Sequence, residues 1–157
     1  MNDGYVLERA TKDHAKGISI TIRAAIEKVN AKDYPPAEIE RLVRNFSTAK
    51  VREMFAEGQT LVALAEGKVV GTGALQGAEI KSVFVSPDWH RKGIGTALVC
   101  ELERIAAREG HATLEVSSSL SATAFYAALG YSERSRKFFA EEETVTMSKV
   151  TDKTPLA

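Results

Sequence analysis

Arg91, Lys92, Gly93 and Gly95 stand where an apolar run ends and an amphipathic helix begins, within Val83-Phe84-Val85-Ser86-Pro87-Asp88-Trp89-His90-Arg91-Lys92-Gly93-Ile94-Gly95-Thr96-Ala97-Leu98. Residues of these types at this spacing can hold an anion. A helix leaves its first backbone N–H groups without internal partners and carries partial positive charge at its N-terminus, so phosphate oxygens bind there. Gly93 and Gly95 let the main chain approach such a ligand, and Arg91 and Lys92 add cationic charge at the mouth. The spacing is neither that of the ATP-binding P-loop, Gly-x-x-x-x-Gly-Lys-Ser/Thr, nor that of the dinucleotide fingerprint Gly-x-Gly-x-x-Gly. A different phosphate ligand is implied.

The elements that must carry this loop follow from periodicity. Residues 80–85 form the strand that enters it, and Pro87 stops that strand. Ile94, Ala97, Leu98, Leu102, Ile105 and Ala106 recur on neighbouring turns of the helix that leaves it, which Gly110 ends. Upstream, the apolar runs 61–65 and 69–75, separated by Glu66-Gly67-Lys68, predict an antiparallel hairpin. Gly71 and Gly73 mark a bulge or a close backbone approach in its second strand. Residues 5–10 alternate as a first strand, and Asp13 is expected to cap a helix whose stripe is Ala15, Ile18, Ile22, Ala25, Ile26 and Val29. Residues 30–36 break that helix with two prolines. Helical spacing resumes in Ile39, Leu42, Val43 and Phe46, and Ser47 or Thr48 caps a short helix that Gly58 ends. Downstream, residues 113–116 read as a strand, Ser119 or Ser121 as a cap, and residues 122–129 as a short helix closed by Gly130. Residues 131–138 and 144–150 read as two further strands.

With 157 residues, 44% of them hydrophobic and 27% charged, the chain fits one domain with a sizeable core over residues 1–150, followed by a frayed tail over 151–157. Its 21 basic and 21 acidic residues cancel, which argues against the broad basic surface of a nucleic-acid binder. A single cysteine, Cys100, excludes an internal disulfide framework; on the long helix it reads as a small buried filler. There is no basic-then-apolar leader, and no apolar run approaches the ~18–20 residues that cross a bilayer, so a cytoplasmic protein with no membrane partner is expected. His14, His90 and His111 lack metal-ligand spacing, and no metal site is expected. Glu141-Glu142-Glu143 reads as a solvated turn.

The segment His90-Arg91-Lys92-Gly93-Ile94-Gly95 resembles the acyl-coenzyme A motif of the GNAT superfamily of N-acetyltransferases, Gln/Arg-x-x-Gly-x-Gly/Ala, and lies like it between a strand and a helix. Downstream, Ala122-x-x-Phe125-Tyr126-x-x-x-Gly130-Tyr131 is similar to the Ala-x-x-Phe-Tyr-x-x-x-Gly-Phe/Tyr segment of the same superfamily. The likeness extends over about residues 60–150. His90 replaces the usual glutamine or arginine, and Ser119 stands where asparagine is common. The resemblance implies an α/β fold of the α+β kind: a mixed, mostly antiparallel sheet of six to seven strands, flanked by about four helices and splayed between the fourth and fifth strands. Coenzyme A would lie in that splay. The main chain of Val83, Phe84 and Val85 would bond the amide-bearing pantetheine arm as an added strand does. Amides of Arg91, Lys92, Gly93, Ile94, Gly95 and Thr96 would hold the diphosphate, and His90, Ser119, Ala122 and Phe125 would complete the cofactor side.

The chemistry implied is attack of an amine on the thioester of acetyl-coenzyme A. An ammonium of pKa ~10.4 must lose a proton, and the departing thiolate, comparable to cysteine at ~8.5, must gain one. Tyr126 matches the acid position of the family; its structural alternative is an amphipathic residue packed at a helix end. Glu115 and Glu79 are the candidate bases, although a carboxyl titrating near ~4.3 needs a raised pKa or a relaying water, and substrate desolvation alone can suffice. Residues 13–58 would wall the acceptor side, where Tyr34, Phe46, Met54 and Phe55 are either lining or core. A small primary amine such as an amino acid, polyamine or aminoglycoside is the expected acceptor, with a protein amine next. A homodimer is common among such proteins. A non-catalytic acyl-coenzyme A sensor is the alternative function, and Trp89 either packs over the loop or covers the strand end.

Overall fold

The computed structural model describes residues 4–139 and 142–151. Alternating strands and tight turns build a seven-stranded sheet from β1 (Val6–Arg9), β2 (Gln59–Ala65), β3 (Lys68–Gln76), β4 (Glu79–Val85), β5 (Thr113–Ser118), β6 (Ser132–Phe139) and β7 (Glu142–Val150), in the order β1-β2-β3-β4-β5-β7-β6. Every neighbouring pair is antiparallel except β4 with β5. Five helices flank it: α1 (Ala15–Ala25), α2 (Pro36–Asn45), α3 (Thr48–Met54), α4 (Ile94–Arg108) and α5 (Thr123–Ala128). The mixed, splayed α/β architecture expected from the resemblance is the one observed.

Local chemistry departs from expectation in three places. The β2–β3 loop is two residues rather than three. Glu66 and Gly67 are both left-handed, with φ of 52° and 80°, as a type I′ turn requires, and Lys68 already pairs with Ala65. Asp13 does not cap α1: the chain enters through a 3-10 turn, Lys12–His14, where the Thr11 amide donates to His14 Nδ1 at 3.0 Å. Nor does α1 run straight to Val29; it widens after Ala25 into a π-helical turn, Ile26–Asn30, followed by a 3-10 turn, Ala31–Asp33. Thr151, the last residue described, is buried, its amide bonded to the Ala112 carbonyl and its hydroxyl to the His111 carbonyl.

Two apolar layers sandwich the sheet. On one face Ile94, Leu98 and Leu102 of α4 pack with Leu114, Val116 and Met147; on the other Ile18, Ile22 and Val51 pack on Val62 and Leu64. Gly71 and Gly73 seat α4. A Cβ on Gly71 would lie 2.8 Å from Ile94 Cγ2, and one on Gly73 3.2 Å from Leu102 Cδ1, so bare backbone is what lets the helix settle onto β3. The register shift falls between Thr72 and Ala74, but the extra residue belongs to the facing strand, where Ser82 adopts φ 57°. Glycine thus supplies the close approach and β4 supplies the bulge.

Gly58 offers a direct test of packing on the far side of the site. A Cβ there would fall 2.1 Å from the Leu75 carbonyl oxygen, a backbone atom that cannot swing away. Gly58→Ala is expected to lower unfolding free energy by about 1–3 kcal/mol, the usual range for overpacking, read as a lower urea midpoint at unchanged slope.

Candidate functional site

The splay begins where parallel pairing ends. Only Glu79 opposite Glu115 and Ile80 opposite Val116 join β4 to β5. Beyond them β4 continues its ladder with β3 alone, and β5 pairs with β7 as far as Ser118 opposite Val145. From Ser82 to Val85 the edge of β4 that faces β5 is therefore open to an extended ligand. The bulge at Ser82 re-aims this stretch, so that Phe84 joins the α1 side of the core while Val83 and Val85 join the α4 side.

A cavity of about 670 Å³ fills the splay. Val83, Phe84, Val85, His90, Arg91, Gly93, Ile94, Gly95, Thr96, Ser119, Ala122, Phe125 and Tyr126 all line it. Lys92 does not: its ammonium lies over the Trp89 ring, 5.6 Å from the centroid, while Trp89 packs against the core and lines the cavity wall. At the loop, Arg91 and Gly93 are left-handed, with φ of 66° and 80°, and Gly93 is the N-cap of α4. The first helical bond runs from the Ala97 amide to the Gly93 carbonyl at 3.0 Å, so the amides of Ile94, Gly95 and Thr96 precede it, and all three residues line the cavity. Gly95 is needed for packing, since a Cβ would sit 3.3 Å from Phe125 Cζ and displace the ring that roofs the helix start. His90 is drawn back toward its own strand, its Nε2 3.1 Å from the Val85 carbonyl oxygen. That carbonyl keeps a second lone pair for a ligand.

Tyr126 is 5% exposed, yet it lines the cavity. Burial pushes its phenol above the ordinary tyrosine value, because desolvation penalises the phenolate. Its ring is held edge-on between Phe125, at 4.9 Å, and Tyr131, at 5.7 Å. Behind it Tyr131 donates to Glu103 at 2.8 Å, and Lys149 bridges Glu103 and the Leu129 carbonyl at 3.1 and 2.7 Å. The expected acid position thus rests on a fixed support that joins α4, α5 and β7.

The two glutamates are brought together but outside the cavity. Glu79 and Glu115 face each other at the closed end of the β4–β5 pairing, and neither lines the opening. Glu79 is 3.8 Å from Lys81 and accepts the Ser117 hydroxyl at 3.4 Å. Ser117 does line the cavity, so Glu79 reaches it through one hydroxyl. Ser82, Ser117 and Ser118 are lining residues that motif matching passes over. The available signal is the strict alternation of β5, which buries Leu114, Val116 and Ser118 and turns Ser117 to the other face with Glu115.

The far wall comes from the least diagnostic segment. Ala25, Ile26, Val29, Tyr34, Leu42 and Phe46 line the cavity, and Phe46 meets Phe84 edge-on at 5.6 Å. Of the four aromatic or sulfur side chains expected here, Tyr34 and Phe46 contribute; Met54 and Phe55 do not. Cys100 lies on α4 away from the opening, and among the described residues no group of three metal-ligating side chains occurs. No helix among the described residues is long and apolar enough to cross a membrane.

Comparison with known proteins agrees with this geometry. Residues 30–150 match the family model of the acetyltransferase (GNAT) domain. The fold is similar to that of a GCN5-related N-acetyltransferase from Rhodopseudomonas palustris, at TM-score 0.87 and 28% identity, over 92% of this chain and 94% of that one. It is also similar to the PaiA N-acetyltransferase of Thermoplasma acidophilum, solved in complex with coenzyme A, at TM-score 0.78 and 17% identity over 93% and 98% of the two chains. A third similar structure is that of yncA from Salmonella typhimurium, solved with its cofactor acetyl-CoA, at TM-score 0.67 and 17% identity over 97% and 96%. No curated protein shows significant similarity to the chain. A splayed seven-stranded sheet, a glycine cradle at the start of α4 and a family match over 30–150 lead to one conclusion: the chain belongs to the GNAT acetyltransferase family.

Proposed function

We propose that the chain moves an acetyl group from acetyl-CoA to a primary amine by direct attack within a ternary complex. The observation that carries this reading is the Tyr126 phenol, which lines the same cavity as the open edge of β4 and the start of α4. The residues fit the cofactor: an open strand edge suits its amide-bearing arm, and a left-handed loop before a fifteen-residue helix suits its diphosphate. When bound, acetyl-CoA supplies a thioester whose carbonyl carbon bonds to the amine nitrogen as its carbon–sulfur bond breaks.

Each residue then has a definite task. The main chain of Val83, Phe84 and Val85 aligns the arm, and Ile94, Gly95 and Thr96 hold the diphosphate through their amides, with Arg91 adding charge. Tyr126 gives its phenolic proton to the departing sulfur. Ser117 passes the proton lost by the nitrogen to Glu79, the carboxylate that its hydroxyl touches. The apolar wall eases that loss by disfavouring the ammonium.

The deciding experiment follows thiol release from acetyl-CoA against a panel of primary amines, with cofactor binding measured alongside by calorimetry. Release that requires an amine and saturates with it is expected. Tight cofactor binding with no amine-dependent release across the panel would instead identify a sensor.

A further inference from the structure

We infer that the acceptor is a small monoamine with an apolar body, an alkyl or arylalkyl amine, whose body packs against Ile26, Leu42, Phe46 and Phe84. The inference rests on the acetyltransferase reading above and narrows it. Its basis is a census of charge in the cavity. Among the described residues no aspartate or glutamate lines it, and its guanidinium, that of Arg91, stands with His90 at the α4 end, where the diphosphate is held. The opposite end is walled by aliphatic and aromatic side chains from the end of α1, its π-helical turn, and α2, together with Phe84 of β4. On α2, the buried carboxylate of Glu38 is ion-paired with Arg41 rather than turned to the cavity.

Such a wall discriminates by charge. A polyamine or aminoglycoside needs one nitrogen neutral for attack and brings its remaining ammonium groups with it. Placed against the hydrocarbon of Ile26, Leu42, Phe46 and Phe84, each of those would be desolvated, which is strongly unfavourable. A monoamine has no such remainder: it enters the reactive state neutral, and each methylene it buries adds favourable transfer free energy. The π-helical turn begins at Ile26 and carries Val29, and both line the cavity.

The test compares n-alkylamines from ethylamine to hexylamine, phenethylamine, 1,6-diaminohexane, spermidine, kanamycin and a lysine-containing peptide in the thiol-release assay, on the wild-type chain and on Leu42→Glu. We expect kcat/KM to rise about fourfold per methylene along the alkyl series. Hexylamine should exceed 1,6-diaminohexane, which differs by one terminal ammonium, by about tenfold or more. Leu42→Glu, checked for an unchanged melting profile and acetyl-CoA affinity, should erase or reverse that preference. A flat response to chain length, or a better rate with the diamine, spermidine, kanamycin or the peptide, overturns the inference while leaving the acetyltransferase reading in place. Absence of thiol release with every amine, in protein shown by calorimetry to bind acetyl-CoA, overturns both.

Discussion

Tyr126→Phe is expected to lower kcat by about 10²–10³-fold while acetyl-CoA affinity stays within about twofold. The substitution removes one oxygen and keeps both ring neighbours, so packing against Phe125 and Tyr131 persists and the loss falls on proton delivery. Burial gives the effect a signature in pH. Desolvation raises the phenol above its ordinary ~10, so the folded protein keeps this proton throughout the neutral and mildly alkaline range. A basic limb in kcat below pH 10 therefore cannot arise from Tyr126 and should be identical in the mutant. Thiol release across pH 6–10, with calorimetric affinities, reads both quantities. Equal kcat in parent and mutant would remove the phenol from the reaction.

Gly93→Asp should weaken acetyl-CoA binding by about 100-fold. Two effects add. At φ 80° any side chain strains the backbone, by about 1–2 kcal/mol, and the new carboxylate meets the diphosphate at the start of α4, where each pair of like charges a few ångströms apart adds about 1 kcal/mol or more. Beyond the adjoining residues 92 and 94, no atom of the described residues lies within 4 Å of the Cβ position, so the substitution acts on loop conformation and ligand rather than by internal collision. Gly93→Ala carries the strain without the charge and should weaken binding by less than tenfold. Affinity for Gly93→Asp that matches the parent would place the diphosphate elsewhere.

What could be read from the residues themselves was whatever repeats or must be small. The period of two in β5, the helical stripe of α4, and glycine at 71, 73, 93 and 95 all survive translation into coordinates, because each expresses a local steric or solvation demand. Three features did not show through. Ser82 takes a left-handed conformation that nothing about serine announces; it follows from how β3 and β4 match length around Gly73. Lys92 stands at a phosphate-ligand position, and its ammonium lies over the Trp89 ring, a neighbour that its place in the motif does not announce. Glu79 and Glu115, 36 positions apart, are placed opposite each other by parallel pairing, a contact no local pattern encodes. The acceptor wall was obscure for another reason: a hydrophobic stripe looks the same whether it meets a sheet or an open space, and only the turn from α to π winding after Ala25 separates Ile22 in the core from Val29 at the opening.

The short parallel seam between β4 and β5 has a mechanical consequence. Two paired positions and the Ser117–Glu79 hydrogen bond stitch a four-stranded leaf to a three-stranded one, and the oily underside of α4 touches both leaves. Apolar contact is indifferent to direction, whereas a ladder of amides is not. A carrier molecule lodged along the seam would act as a splint, adding contacts to both leaves where their own pairing stops.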